Sequence, residues 1–233
     1  MKIFIFLLII LGCFSCNSDV SDNDDDVSLP ASSDTDTTTD SGKFFTVGSS
    51  GTILKSSDGI SWTSITPLTS NALYCISYIN SLFVTGGFMS DLFTSSDGIS
   101  WTSRNSNNSN YIWGVAYGNN IFVIVSDYGE ILTSSDGISW NPKSIGTSHY
   151  FRGVTFANNI FTAVGGSGTI FTSSDGTSWD NRTYETTNDL RDVAYGNNNF
   201  VAVGRSGTIL TSSDGTSWNS RSSGTSERLL GIT

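Results

Sequence analysis

Tyr74, Trp113, Arg152 and Arg191 stand 39 residues apart, each near the start of a short apolar run. Asp127, Tyr128 and Arg205 stand in Gly- or Ser-bounded joints one segment further along. An indole beside guanidinium groups suits the face of a sugar ring or an acidic partner group. The aromatic supplies stacking and the guanidinium a planar fork of donors. Asp127, Glu130 and Asp192 offer a different chemistry, since two carboxylates at a fixed separation are the machinery of glycoside hydrolysis. The sole histidine is His149, so imidazole relays and histidine metal sites lack material. Gly165-Gly-Ser-Gly168 joins two apolar runs and opens no helix, which excludes a phosphate-binding loop. No cofactor is expected.

The elements that carry these residues are set by a repeat. Trp62, Trp101, Trp140, Trp179 and Trp218 share the 39-residue interval, and each closes the phrase Ser-Ser-Asp-Gly-x-Ser-Trp. A fixed period near 40 marks a repeat architecture. Within each period the apolar runs are short, β-branched or aromatic, and bounded by Gly and Asn, as in 152–156, 160–164 and 169–172. They read as strands. The joints Gly-Asn-Asn, Gly-Gly-Ser-Gly and Ser-Asp-Gly supply positive φ and local side-chain bonds, the chemistry of hairpins. Each period is therefore an antiparallel meander of strands a to d, which is a propeller blade. A parallel β-helix would need shorter rungs without three hairpins apiece. Almost no helix is expected.

The ends fix the count. Strands b and c, but no strand a, precede Trp62, and residues 228–233 align with the strand a that holds 190–194. Residues 39–233 make 195, five periods of 39. The sequence predicts an all-β, five-bladed propeller over 41–233, its last blade closed by the C-terminal strand. Closure would remove an exposed edge.

The phrase at each tryptophan resembles the Asp box, usually Ser/Thr-x-Asp-x-Gly-x-Thr-Trp, with one residue fewer between Asp and Gly in all five copies. With the Gly-Asn-Asn and Val-Gly-x-x-Gly-Thr turns, residues 42–233 resemble Asp-box propellers of the sialidase-repeat and photosystem-assembly-factor type. The resemblance implies that the box is the turn between the third and fourth strands of a blade. Asp58, Asp97, Asp136, Asp175 and Asp214 can accept backbone N–H bonds there, while Trp62, Trp101, Trp140, Trp179 and Trp218 bury their rings. One carboxylate per box is too few for calcium, which takes several oxygen ligands, so no metal is expected.

In a propeller the d-to-a and b-to-c connections share one face, the a-to-b and c-to-d turns the other. The second face repeats nearly unchanged, and the first varies. Ahead of strand a it presents Tyr74, Trp113, Arg152, Arg191 and Leu230; at the b-to-c joint, Ser49, Phe88, Asp127, Gly166 and Arg205, then Ser50, Met89, Tyr128, Ser167 and Ser206. Asp192 replaces a glycine found at 114, 153 and 231. Tyr74, Trp113, Asp127, Tyr128, Arg152, Arg191, Asp192 and Arg205 are thus the candidate ligand-binding residues, with Trp113 expected to be exposed. Arg104, Arg182 and Arg221 share one column on strand d, where charges discourage edge pairing. The expected function is a non-catalytic binding or scaffold propeller, monomeric, with a glycan or protein on the variable face. The alternative is a glycoside hydrolase. The resemblance would allow Arg152, Arg191 and Arg205 as a sialidase-like arginine cluster with Tyr74 or Tyr128 as nucleophile. The sialidase Arg-Ile-Pro motif does not occur, however, and every repeat is minimal.

Met1-Lys2 and the apolar run 3–11 read as a signal peptide, 1–15. Nine apolar residues are too few to span a bilayer as a helix. Ile10-Leu11-Gly12-Cys13 resembles a bacterial lipobox, but Cys16 sits where the chain turns polar and is the preferred lipidation site, with Cys13 the alternative. Residues 16–40 then form a lipidated tether. Positions 17–40 hold eight Asp and no basic or aromatic residue, a composition that cannot bury enough apolar surface to order itself. Its r.m.s. reach is roughly 25–30 Å. The Asp-rich stretch resembles surface-export signals of some Gram-negative lipoproteins, implying an outer-membrane, envelope address. Residues 41–233 carry 13 acids against 10 bases, a net −3 without a basic stripe, which argues against nucleic acid. Cell fractionation tests the anchor: Cys16→Ser should move the protein to the soluble fraction. Release by Cys13→Ser alone would make Cys13 the acylated residue.

Overall fold

A computed structural model of the chain describes residues 14–15 and 44–233. The signal-peptide and tether assignments, including Cys13 and Cys16, lie outside the described residues except for Phe14 and Ser15. These two form β1 (Phe14–Ser15), which pairs antiparallel with β5 (Leu73–Ile79), Ser15 opposite Cys75. Five antiparallel sheets follow one another along the chain. Blade one is β2 (Phe44–Val47), β3 (Ile53–Ser56) and β4 (Thr63–Ile65). Blade two is β5, β6 (Leu82–Gly87), β7 (Leu92–Ser95) and β8 (Thr102–Ser103). Blade three is β9 (Ile112–Gly118), β10 (Ile121–Ser126), β11 (Glu130–Ser134) and β12 (Asn141–Ser144). Blade four is β13 (Phe151–Ala157), β14 (Ile160–Gly165), β15 (Ile170–Ser173) and β16 (Asp180–Asn181). Blade five is β17 (Leu190–Gly196), β18 (Asn199–Gly204), β19 (Ile209–Ser212) and β20 (Asn219–Arg221). The described residues contain no α-helix, only a single 3-10 turn at each b-to-c joint. The fold is the expected five-bladed β-propeller.

The apolar runs are continuous rather than alternating because each blade is covered on both faces. In β10, Phe122 and Ile124 join a core cluster with Cys75, Val84 and Leu92 of blade two. Val123 and Val125 join another with Phe151, Phe161 and Ala163 of blade four. Successive side chains of a strand point to opposite faces, so one strand feeds two cores. Four such clusters each span a pair of consecutive blades.

The a-to-b turns have both central residues at positive φ, as in Asn119 (48°) and Asn120 (62°), the type I′ geometry that fits hairpin twist. In the c-to-d turn Ser134 Oγ donates to Asp136 Oδ1 at 2.9 Å, and the same Oδ1 accepts the N–H groups of Ile138 and Ser139 at 2.8 and 2.9 Å. Gly137 takes φ 70°, where a Cβ would also stand 2.4 Å from the Leu82 side chain of blade two. All five turns repeat this pattern, with φ between 67° and 75° at the glycine. The N–H groups, from Ser61 first, hold the Asp58 carboxyl down to about 2, and backbone bonds likewise lower Asp97, Asp136, Asp175 and Asp214.

The tryptophan that follows packs toward the preceding blade. Trp140 belongs to the blade two–three cluster and Trp218 to the blade four–five cluster. Residues 228–233 start along the path of a strand a: Leu229 N–H donates to Gly204 O at 2.9 Å, matching Leu73 N–H to Gly48 O at 3.0 Å. They form no ladder with β2, whose sheet counts three strands. Trp62, which would pack at that join, is 38% exposed. Trp140, 1% exposed, should cost about 3–5 kcal/mol on replacement by alanine, whereas Trp62→Ala should cost under about half of that because less area is lost. Chemical denaturation of the two variants measures the difference.

Candidate functional site

Five copies of one contact tie the loops of the variable face together. At each b-to-c joint the third residue, Gly51, Ser90, Gly129, Gly168 or Gly207, donates its N–H to the carbonyl of Asn71, Asn110, His149, Asn188 or Glu227, at 2.5–2.9 Å. The d-to-a loop is thus pinned onto the joint, and the residues just after it are aimed across to the neighbouring blades.

That aim stacks the candidates in a row. Tyr74 and Trp113 lie face to face, centroids 4.6 Å apart and 10° from parallel. The Arg152 guanidinium lies 3.6 Å above the Trp113 ring and 4.2 Å from Tyr150. Tyr111 meets Trp113 edge-on at 6.0 Å and stacks on Phe88 at 4.9 Å. Asp127 fixes the centre: Oδ1 accepts from Trp113 Nε1 at 2.9 Å and from Arg152 Nη1 at 3.1 Å. Burial lowers the Arg152 guanidinium from its usual value while Asp127 pulls the other way; an arginine stays charged under either influence.

A second node sits one blade on. Asp189 Oδ2 faces Arg205 Nε at 3.1 Å and Arg191 Nη2 at 3.5 Å, and Oδ1 accepts Ser167 N–H at 3.1 Å. Burial opposes ionisation of Asp189, but the Tyr150 hydroxyl, the Ser167 N–H and the two arginines together hold its carboxyl below the ordinary value. Tyr150 is raised by burial and then by its bond to Asp189. Tyr150 therefore links the two nodes, touching Arg152 on one side and Asp189 on the other.

Several expectations change here. Trp113 is buried, not exposed, and so are Tyr74, Arg191 and Asp192. Residues one period apart meet across the blade boundary, so Tyr74 and Arg152 cover the two sides of Trp113. Asp192 joins neither node. Its Oδ1 accepts its neighbour Val193 N–H at 2.8 Å, and its Oδ2 accepts Ile232 N–H at 2.9 Å. It holds the C-terminal segment, and the glycine at 231 in the same column leaves it room. Asp127, Glu130 and Asp192, considered for paired acid–base work, have separate partners: Trp113 with Arg152, Asn110, and main-chain N–H groups. Among the described residues no three His, Cys, Asp or Glu side chains are grouped to hold a metal ion.

Two side chains do stand out from the face. Tyr128 is 68% and Met89 59% exposed, at φ 57° and 45°. Their counterparts Ser50, Ser167 and Ser206 adopt the same left-handed backbone at 53–55°. Tyr111, Tyr150 and Asp189 are not among the sequence candidates, although they form one varying column with Ala72 and Arg228, two residues before Tyr74, Trp113, Arg152 and Arg191.

No protein-family model and no curated protein matches the chain. Solved structures do. YCF48 bound to a D1 peptide is 20% identical at TM-score 0.58, over 76% of this chain and 63% of that one. The WD40 propeller domain of Doa1 is 14% identical at TM-score 0.60, over 77% and 64%. An ancestral GH74 enzyme is 20% identical at TM-score 0.51, over 59% and 22%. The chain thus spans under two thirds of the YCF48 and Doa1 chains. The likeness is one of fold, a β-propeller shared by binding proteins and a glycoside hydrolase alike.

Asp192 generates a pH signature. Burial raises its carboxyl to about 7, so between the unfolded value near 3.9 and about 7 the native state holds a proton that the unfolded chain releases. Stability should therefore fall with rising pH across that window, by up to about 1.4 kcal/mol per unit, and level off above it. The turn aspartates act with the opposite sign and only below about pH 4. Denaturant titrations from pH 4.5 to 8 should show the slope in the native protein and lose it in Asp192→Asn.

Proposed function

We propose that the protein is a non-catalytic binding propeller whose b-to-c and d-to-a face holds a protein partner through a peptide segment. The carrying observation is the pair of tips, Met89 and Tyr128, on adjacent blades. A bulky side chain at positive φ is an outlier that costs backbone energy, and neither tip recovers it by packing, since both are exposed. Behind them lies a floor that is already set: Phe88, Tyr111, Trp113, Arg152 and Tyr150 touch in sequence. Projecting apolar tips above a rigid aromatic and arginine floor suit a peptide, which offers side chains to grip and carbonyls to bond. YCF48, similar in fold, is seen with a peptide bound, and this supports the same class of partner.

Around that site we place the rest of the reading. The c-to-d turns are Asp boxes in a shortened form, supported by the carboxylate that gathers two backbone N–H groups in every copy. The chain is a bacterial envelope lipoprotein, acylated at Cys16 or Cys13 and facing outward from the outer membrane as a monomer. A glycan in place of the peptide, or glycoside hydrolysis at Asp127, remains the competing assignment because GH74 shares the fold.

An array bearing both peptides and glycans, probed with the chain from residue 17, separates these. Peptide binding should drop at least about tenfold, roughly 1.4 kcal/mol, in the double variant Met89→Ser, Tyr128→Ser, with the melting temperature unchanged. Glycan binding without peptide binding, or turnover of fluorogenic glycosides abolished by Asp127→Asn, would overturn the reading.

A further inference from the structure

In blades two to five the first strand, β5, β9, β13 or β17, pairs with its own blade on one edge only. The other edge turns to the channel that a propeller encloses. One of these inner edges is occupied. β1 pairs antiparallel with β5, Phe14 opposite Ile76 and Ser15 opposite Cys75, and it lies against β9 as well. Cys75 is two residues from Leu73, the end of β5 that adjoins the d-to-a loop. The pairing therefore sits just inside the variable face.

The choice of β5 has a structural reason. At the column of Cys75 the other inner strands crowd one another. A Cβ on Gly114 of β9 would lie 3.3 Å from the Val154 side chain of β13, and one on Gly153 of β13 would lie 3.0 Å from Asp192 Cα of β17. On its other side β5 borders blade one, which among the described residues has no inner strand in ladder with β2. β5 thus flanks the part of the channel wall that no ladder completes. Leu73, Tyr74 and Cys75 are 1–3% exposed. Main-chain donors and acceptors held away from water need partners, so an open edge here favours an added strand.

We propose that the channel-side edge of β5 is a strand-addition site for an extended peptide segment, and that Phe14 and Ser15 hold it only until the leader is removed. The proposal deepens the peptide reading and rests on it for the partner. Processing before Cys16 takes away residues 1–15 and with them β1, which leaves the edge open in the mature protein. The partner then takes the position of β1, antiparallel to β5. Its main chain supplies the affinity, because strand addition bonds N–H to C=O whatever the side chains. Tyr74, next to Cys75, stacks on Trp113, so this edge is continuous with the aromatic floor below Met89 and Tyr128. A peptide held by those tips reaches β5 without leaving the face. The tips and floor select side chains, while the edge fixes the direction of the chain.

Hydrogen exchange read by mass spectrometry tests the site on two forms of the protein. One is the chain from residue 17; the other starts at residue 12, carries Cys13→Ser and Cys16→Ser, and retains β1. Amides of β5 should exchange at least about tenfold more slowly in the longer form. A synthetic peptide of residues 12–17, with both cysteines replaced by serine and both ends blocked, should restore that protection to the shorter form. Of two consecutive N–H groups in an added strand, one faces the partner strand. The same peptide N-methylated at Phe14 and Ser15 should therefore bind at least about fivefold more weakly. Equal exchange of β5 in the two forms, equal binding of the methylated peptide, or a mature protein that begins at Cys13 would overturn the proposal. The peptide reading itself fails by a different result, array binding that Met89→Ser with Tyr128→Ser leaves unchanged.

Discussion

Every apolar cluster among the described residues lies between two sheets, none within one, and the remaining architecture follows from that constraint. A blade has no interior of its own. Its strands must be apolar on both faces, which is why β10 buries Phe122 and Ile124 toward one neighbour and Val123 and Val125 toward the other. The blades must keep a common length, because an insertion within the strands of one would displace the side chains that the next relies on. The unbroken 39-residue interval records this demand. Where the demand is relaxed, at the join between blades five and one, Trp62 is left exposed while its counterpart Trp140 is covered.

The same constraint divides the two faces. On one, Gly98 and Gly137 stand where a Cβ would strike Phe45 and Leu82 of the preceding blade, at 2.5 and 2.4 Å, so the turn is held to one sequence. On the other, the pinning bonds come from the main chain; a Cβ at Gly51, Gly129, Gly168 or Gly207 would strike a loop carbonyl at 2.0–2.5 Å, while the two joint positions before it carry different side chains from blade to blade. Variation collects there for a geometric reason. It does not follow that each varying residue meets a partner: Trp113, Arg191 and Asp192 vary and are buried.

The fold was legible because its signals are periodic. Turn glycines, box aspartates and paired strands each recur five times, and a local reading repeated five times leaves little room for error. The site was legible in position but not in depth. A column shows which face a residue belongs to, while burial depends on what the next blade places beside it. Tyr74 and Arg152 close over Trp113, one period away on either side, and no single repeat contains that information. Asp192 was misplaced for a related reason, since its partner, Ile232, lies 40 residues away in a segment that is not part of its own blade.

The between-blade core has a consequence for how the chain folds. Each cluster is complete once two consecutive blades have formed, so the smallest unit able to exclude water is a pair of adjacent meanders, under 80 residues of contiguous chain. Such a chain behaves as a one-dimensional array, in which ordering starts at one junction and spreads to its neighbours. Blade three shares a cluster with each side and holds Trp140 fully covered, which makes its two junctions the natural starting points. The termini would order last, and a nascent chain emerging N-terminus first could consolidate its early blades before residues 228–233 exist.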